Sequence, residues 1–134
     1  MAEGLNLTVV TPERALIQED VDQVQVPGLG GYLGLLPGHA PLFSELAIGE
    51  LSYTREGQTH SISLAKGFVE ISNDKVRVLA DVAEPAVDID IDRAREALGR
   101  AEERISKGGD DIDYPRALAA LERAAIRIAI AARK

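Results

Sequence analysis

The chain has no cysteine, no tryptophan and a single methionine. The lack of cysteine removes both a disulfide framework and a thiolate metal site, and it fits a reducing compartment. Aromatic residues are only 4% of the 134 positions, and the histidines number two, His39 and His60. A Cys–His pair is therefore unavailable, and no serine sits in the Gly-x-Ser-x-Gly setting of a nucleophile elbow. No apolar run approaches the roughly 20 residues that span a bilayer. The opening Met-Ala-Glu-Gly-Leu-Asn has neither the basic start nor the apolar core of a signal peptide. Basic residues are also scarce, 15 Lys/Arg against 22 Asp/Glu for a net charge of −7. That sign disfavours a nucleic-acid binder, which must neutralise phosphates.

The chain is 46% hydrophobic and 28% charged, a balance that suits a folded protein. Its charge is unevenly spread. Residues 1–87 carry five basic and twelve acidic side chains, which accounts for the whole net charge. Residues 88–134 carry ten of each, and within them 114–134 hold five basic residues against one acid, Glu122. The head is acidic and the tail basic.

Up to about residue 83 the apolar residues alternate: Leu5, Leu7 and Val9; Val24 and Val26; Ile62 and Leu64; Val76 and Val78. Period two marks strands with one buried face. Turn pairs punctuate them at Thr11-Pro12, Pro27-Gly28, Gly30-Gly31, Pro37-Gly38, Glu56-Gly57, Lys66-Gly67 and Asn73-Asp74. Short strands at such spacing predict an all-β sandwich or flattened barrel over residues 1–86. After Pro85 the period changes. Ile91, Ala94, Leu98, Ala101 and Ile105 form one helical stripe, with Asp88 or Asp90 as N-cap and Gly108-Gly109 as the stop. Leu118, Leu121, Ala125, Ile128 and Ala132 form a second, with Asp113 as N-cap and Pro115 in the first turn. Residues 87–134 thus read as an antiparallel helical hairpin. A lone hairpin buries little, so it needs a surface, either the sandwich or a partner.

Few residues suggest chemistry. His39 lies in the doubly proline-braced loop Pro37-Gly38-His39-Ala40-Pro41 and has no titrating neighbour in sequence, which reads as a rigid turn. Gly28-Leu29-Gly30-Gly31 lacks the Lys and Ser/Thr of a phosphate loop and precedes no helix. Asp88, Asp90 and Asp92 sit where a helix starts, so an acidic first turn explains them more simply than a metal. The arginines say more. Arg116, Arg123, Arg127 and Lys134 are spaced 7, 4 and 7 and share a helix face, and Arg93, Arg100 and Arg104 form a similar row on the first helix. Such rows are either solvated faces or a grip for an acidic segment or a polyphosphate. An anionic membrane is a third choice, which the acidic head disfavours.

The stretch Gly31-Tyr32-Leu33-Gly34-Leu35-Leu36-Pro37-Gly38-His39-Ala40-Pro41-Leu42 resembles the signature loop of the epsilon subunits of bacterial F-type ATP synthases. Val78-Leu79-Ala80-Asp81, Ala101-Glu102-Glu103-Arg104-Ile105 and Asp111-Ile112-Asp113-Tyr114 are also similar to that family, in its order of sandwich then hairpin. The resemblance implies a non-catalytic subunit of the central stalk, peripheral on the cytoplasmic face of the bacterial plasma membrane. Such a subunit couples proton-driven ring rotation to ATP synthesis. It implies three partners: the gamma subunit, the c-ring, and the beta subunits when the hairpin extends and inhibits hydrolysis. By position Gly30, Gly31 and Tyr32 face the ring and His39 lies near gamma, while Arg116 and Lys134 belong to the basic helix that meets beta. Many relatives have an acidic residue where this chain has Tyr32. The family's Ile/Leu-Asp-x-x-Arg-Ala motif for regulatory ATP matches Ile89-Asp90-Ile91-Asp92-Arg93-Ala94. The implied ATP contacts are Asp90, Arg93, Arg123, Arg127 and Glu84; no cofactor is required. The same residues are compatible with a stand-alone ATP-sensing module.

Overall fold

The computed structural model describes residues 4–133. Seven strands come first: β1 (Leu5–Val10), β2 (Ala15–Val21), β3 (Gln23–Gly28), β4 (Gly31–Leu35), β5 (Leu42–Arg55), β6 (Gln58–Ser72) and β7 (Lys75–Pro85). They form one hydrogen-bonded sheet in the order β2-β1-β7-β6-β5-β3-β4, antiparallel except for the parallel β1–β7 pair. One core draws on both ends of this order: Leu5, Leu7 and Val9 from β1 lie with Val24 and Val26 from β3 and Leu35 from β4. The sheet therefore folds over itself as a sandwich. An Arg55–Glu19 ion pair at 3.4 Å links β5 to β2 across the fold. The alternating residues read from sequence are the buried ones, at 2% exposure or less.

Two of the expected turns lie inside strands. Lys66 and Gly67 have φ of 66° and 138° and kink β6, whose ladder to β5 and β7 continues on either side. Only glycine fits at 67, because a Cβ there would overlap the Leu79 carbonyl oxygen. Pro27-Gly28 ends β3, where the β3–β5 register shifts between Gln25 and Gly28. Glycine serves a bulge or kink as readily as a turn, so its presence alone does not end a strand.

A 3-10 turn, Ala86–Asp88, joins the sandwich to α1 (Ile91–Lys107), and α2 (Tyr114–Ala131) follows. Asp90 caps α1, its carboxylate accepting from the N–H groups of Asp92 and Arg93 at 3.1 and 3.2 Å. Asp113 caps α2 by accepting from the Arg116 N–H, and Gly108 at φ 62° ends α1. The α1 stripe is as expected, with Ala94 and Ala101 buried and Ile91, Leu98 and Ile105 half-buried. The α2 stripe is not. Leu118 is 48% exposed, and the buried residues are Ala117, Ala124, Ile130 and Ala131. Ala94 and Ala101 on one helix, and Ala117, Ala124 and Ala131 on the other, repeat every seven residues, and α1 packs on α2. Small side chains let the two axes approach, which decides the face.

α2 in turn packs on β5 and β6. A second, small core of Ile89, Ile130 and Ala131, flanked by Ala86, Ile91 and Ile126, ties the end of α2 to the 3-10 turn and the start of α1. The sandwich core contains none of these residues. The hairpin thus rests on the sandwich without completing it.

Candidate functional site: the cleft between sandwich and hairpin

A cleft of about 580 Å³ opens where the first half of β6 and the end of β7 meet both helices. Alanines and Val82 form its apolar walls, and its rim is basic: Arg100 and Arg104 from α1, Arg123 and Arg127 from α2, and Arg14 from the β1–β2 connection. Two acids oppose them. The Arg127 Nε donates to Glu84 Oε1 at 2.7 Å, with both side chains about three-quarters buried. Arg14 pairs with Asp88 at 3.8 Å, largely in solvent. Five arginines against Glu84 and Asp88 leave the cleft cationic within an acidic protein. Planar guanidiniums on several sides of one cleft suit a polyphosphate, which takes bidentate contacts from them. The volume is that of a small-molecule site.

Of the residues anticipated for ATP, Glu84, Arg123 and Arg127 line this cleft; Asp90 and Arg93 do not. Asp90 spends its carboxylate on the α1 cap, and Arg93 is an exposed residue whose backbone N–H joins that cap. The two arginine rows also divide. Arg100, Arg104, Arg123 and Arg127 converge on the cleft, while Arg116 is exposed outside it and Lys134 lies outside the described residues. Sequence spacing missed Arg14 and Asp88, since only the folded sheet carries Arg14 to the start of the hairpin.

At the opposite end of the sandwich, the Pro37–Pro41 loop is held rigidly. The Gly38 N–H donates to Asp74 Oδ1 at 2.7 Å and the His39 N–H to the Leu36 carbonyl at 3.1 Å, while His39 Nδ1 lies 2.6 Å from the Ala40 carbonyl. Leu36 is 55% exposed beside it. Leu29 and Gly30 make the β3–β4 turn, Gly31 opens β4, and Tyr32 follows, its ring half exposed and its hydroxyl accepting from the Glu50 N–H at 3.1 Å. Among the described residues no cluster of three or more His, Asp or Glu could hold a metal, and no helix is long and apolar enough to cross a membrane.

A beta-sandwich followed by a helical hairpin is the domain pair of the delta/epsilon subunits of ATP synthases. The chain belongs to the delta/epsilon chain family of ATP synthases: residues 4–86 match the family's beta-sandwich domain and residues 88–132 its long alpha-helix domain. Its relatives are ATP synthase epsilon chains. That of Solibacter usitatus is 50% identical over 134 residues, covering 100% of both chains. That of Nitratidesulfovibrio vulgaris is 48% identical over 130 residues, 97% of each. Among solved structures, a chain in the OSCP/F1/c-ring assembly of Euglena gracilis mitochondrial ATP synthase superposes with TM-score 0.83 at 25% identity, covering 98% of this chain and 82% of that one. A chain of the central stalk/c-ring of Tetrahymena thermophila mitochondrial ATP synthase shares the fold, with TM-score 0.57 at 12% identity over 97% of this chain and 95% of that one.

Proposed function

We propose that the chain is a non-catalytic rotor subunit of the central stalk of a proton-translocating F-type ATP synthase. It helps couple ring rotation to ATP synthesis and restrains ATP hydrolysis through its hairpin. Its sandwich engages the gamma subunit near His39 and the c-ring through Gly30, Gly31 and Tyr32. When the hairpin extends, Arg116, Lys134 and the rest of the basic second helix meet acidic segments of the beta subunits. Membrane association, on the cytoplasmic face of a bacterial plasma membrane, runs through the complex.

The observation that carries this reading is the separation of the two cores. The hairpin has its own small core of Ile89, Ile130 and Ala131 and is held to the sandwich by α2 packing on β5 and β6 and by ion pairs from Arg127 and Arg133, whereas the sandwich core contains no hairpin residue. An element docked outside the main core opens at lower free energy than the core itself. Undocking frees Arg127 from Glu84 and leaves it beside the already exposed Arg123, in a tail of net positive charge, which is the complement an acidic partner needs.

The cleft supplies the matching control. Regulatory ATP is bound by the docked state alone, because the cleft's walls come from both the hairpin and the sandwich. A ligand selective for one state shifts the population by its differential affinity and by no more. In this reading Arg123 and Arg127 take the phosphates, Glu84 orients Arg127, and Asp90 fixes the start of α1 next to Arg93. A stand-alone ATP-sensing module would use the same cleft without the motor. Co-purification distinguishes the two: the rotor subunit forms a stable complex with the gamma subunit of its own synthase, and a chain that stays monomeric in the presence of gamma is not part of the stalk.

A further inference from the structure

The end of α2 is tied to the sandwich at a second place, about two turns beyond Arg127 and outside the basic cleft. Arg133 Nη2 donates to Glu50 Oε1 at 2.6 Å, while its Nε donates to the Ala129 carbonyl at 3.1 Å, which fixes the guanidinium against its own helix end. Glu50 is well occupied otherwise. Its other oxygen accepts from Ser61 Oγ at 2.6 Å, and its backbone N–H donates to the Tyr32 hydroxyl at 3.1 Å. The Glu50 side chain is 21% exposed, against 58% for Arg133.

Tyr32 reaches Glu50 because the intervening backbone makes room for it. The β3–β5 ladder shifts register between Gln25 and Gly28, and Gly49 stands beside this gap. A Cβ on Gly49 would come within 2.6 Å of the Pro27 side chain and 2.9 Å of the Tyr32 hydroxyl. The missing side chain is what lets the tyrosine lie across β5 and reach the Glu50 N–H. The same tyrosine is the second residue of β4, close to the exposed Leu29-Gly30 turn, and half of its surface faces solvent.

We infer that Tyr32, Glu50 and Arg133 form a relay through which the position of the β3–β4 turn controls how firmly the hairpin is held on the sandwich. A partner that shifts Tyr32 withdraws the acceptor of the Glu50 N–H, moves β5 at Glu50 and loosens the carboxylate that retains Arg133. Three contacts converging on one residue share their fate more closely than isolated pairs do. The inference rests on the reading of the hairpin as an arm that leaves the sandwich. Thermodynamic coupling is reciprocal, so undocking the arm also loosens the turn.

Native-state amide hydrogen exchange on the full chain tests it. Arg133→Ala and Glu50→Gln speed exchange of the α2 amides about three- to tenfold, the range for a partly exposed charge-assisted contact. Tyr32→Phe, which removes only the hydroxyl, speeds them about twofold or more. In the Arg133→Ala background Tyr32→Phe adds nothing further, and Arg133→Ala alone speeds exchange of the β4 amides. The core amides of Val69, Ile71 and Val76 stay protected throughout, which shows that each variant is folded. Should Tyr32→Phe disturb them, Ser61→Ala replaces it, since it releases the other Glu50 oxygen. Faster α2 exchange from Arg133→Ala with none from Tyr32→Phe, or the same effect of Tyr32→Phe with and without Arg133, overturns the relay and leaves the arm intact. If α2 exchanges only at the rate of the sheet core in every variant, both the relay and the movable arm are wrong.

Discussion

Arg127 of α2 and Glu84 of β7 are 43 residues apart in sequence and 2.7 Å apart in the fold. Their pair crosses the boundary between hairpin and sandwich within the basic cleft. Docking of the arm and the shape of the cleft therefore depend on the same contact.

Glu84→Gln should loosen the arm without unfolding the sandwich. A hydrogen-bonded, mostly buried charge pair that loses one charge costs about 1–3 kcal/mol. Amide exchange of α2 should therefore rise about 5- to 140-fold, as each 1.4 kcal/mol is a factor of ten. The β1 and β7 core amides should not change.

ATP binding should depend on the α2 arginines. Each charge-assisted contact contributes on the order of 1.5–3 kcal/mol, so Arg123→Ala is expected to weaken ATP about ten- to a hundredfold in calorimetry. Arg116→Ala, outside the cleft, should leave the heats unchanged. Full ATP heats in both Arg123→Ala and Arg127→Ala would rule out nucleotide binding in the cleft.

The hairpin should resist enlargement at its alanine seam. Ala124 is 2% exposed between α1 and α2. Ala124→Leu should cost about 1–3 kcal/mol by overpacking, read as a lower midpoint for loss of helical circular dichroism. Ala125→Leu, on the exposed side, should be close to neutral.

Tyr53 provides a pH test of the sandwich. Burial raises its phenol above the usual tyrosine value of 10.0, the Glu19 carboxylate raises it further, and Arg55 partly offsets both. The neutral phenol is thus favoured in the native state. The associated stability is complete below pH about 10 and is lost as pH rises through the higher native value. In a Tyr32→Phe/Tyr114→Phe background, where Tyr53 is the one remaining tyrosine, ultraviolet titration should give a midpoint above the free value. Glu19→Gln should lower that midpoint.

The sandwich was legible because half its strand residues face one core. Leu5, Leu7 and Val9 alternate for that reason, and they are buried as a set. The caps Asp90 and Asp113 were legible too, being local hydrogen bonds between near neighbours. The buried face of α2 was not. This helix is apolar on more than one side, so Leu118, Leu121 and Ala125 fit a stripe as well as Ala117, Ala124 and Ala131 do. Seven-residue alanine spacing on both helices was the available clue. The arginine rows indicated a charged face but not which members converge, because α1 and α2 meet the sheet end only in the tertiary fold. Arg133 and Glu50, 83 residues apart, carry no local sequence signal of their pairing.

In the proposed role the hairpin is a movable brake on a motor whose catalytic sites lie on other subunits. ATP hydrolysis by the assembled synthase, reconstituted with the full chain or with a chain lacking residues 88–134, tests it most directly. Hydrolysis should be several-fold faster with the shortened chain, which should still co-purify with gamma through its intact sandwich. Equal hydrolysis rates with the two chains, both bound to gamma, would contradict it.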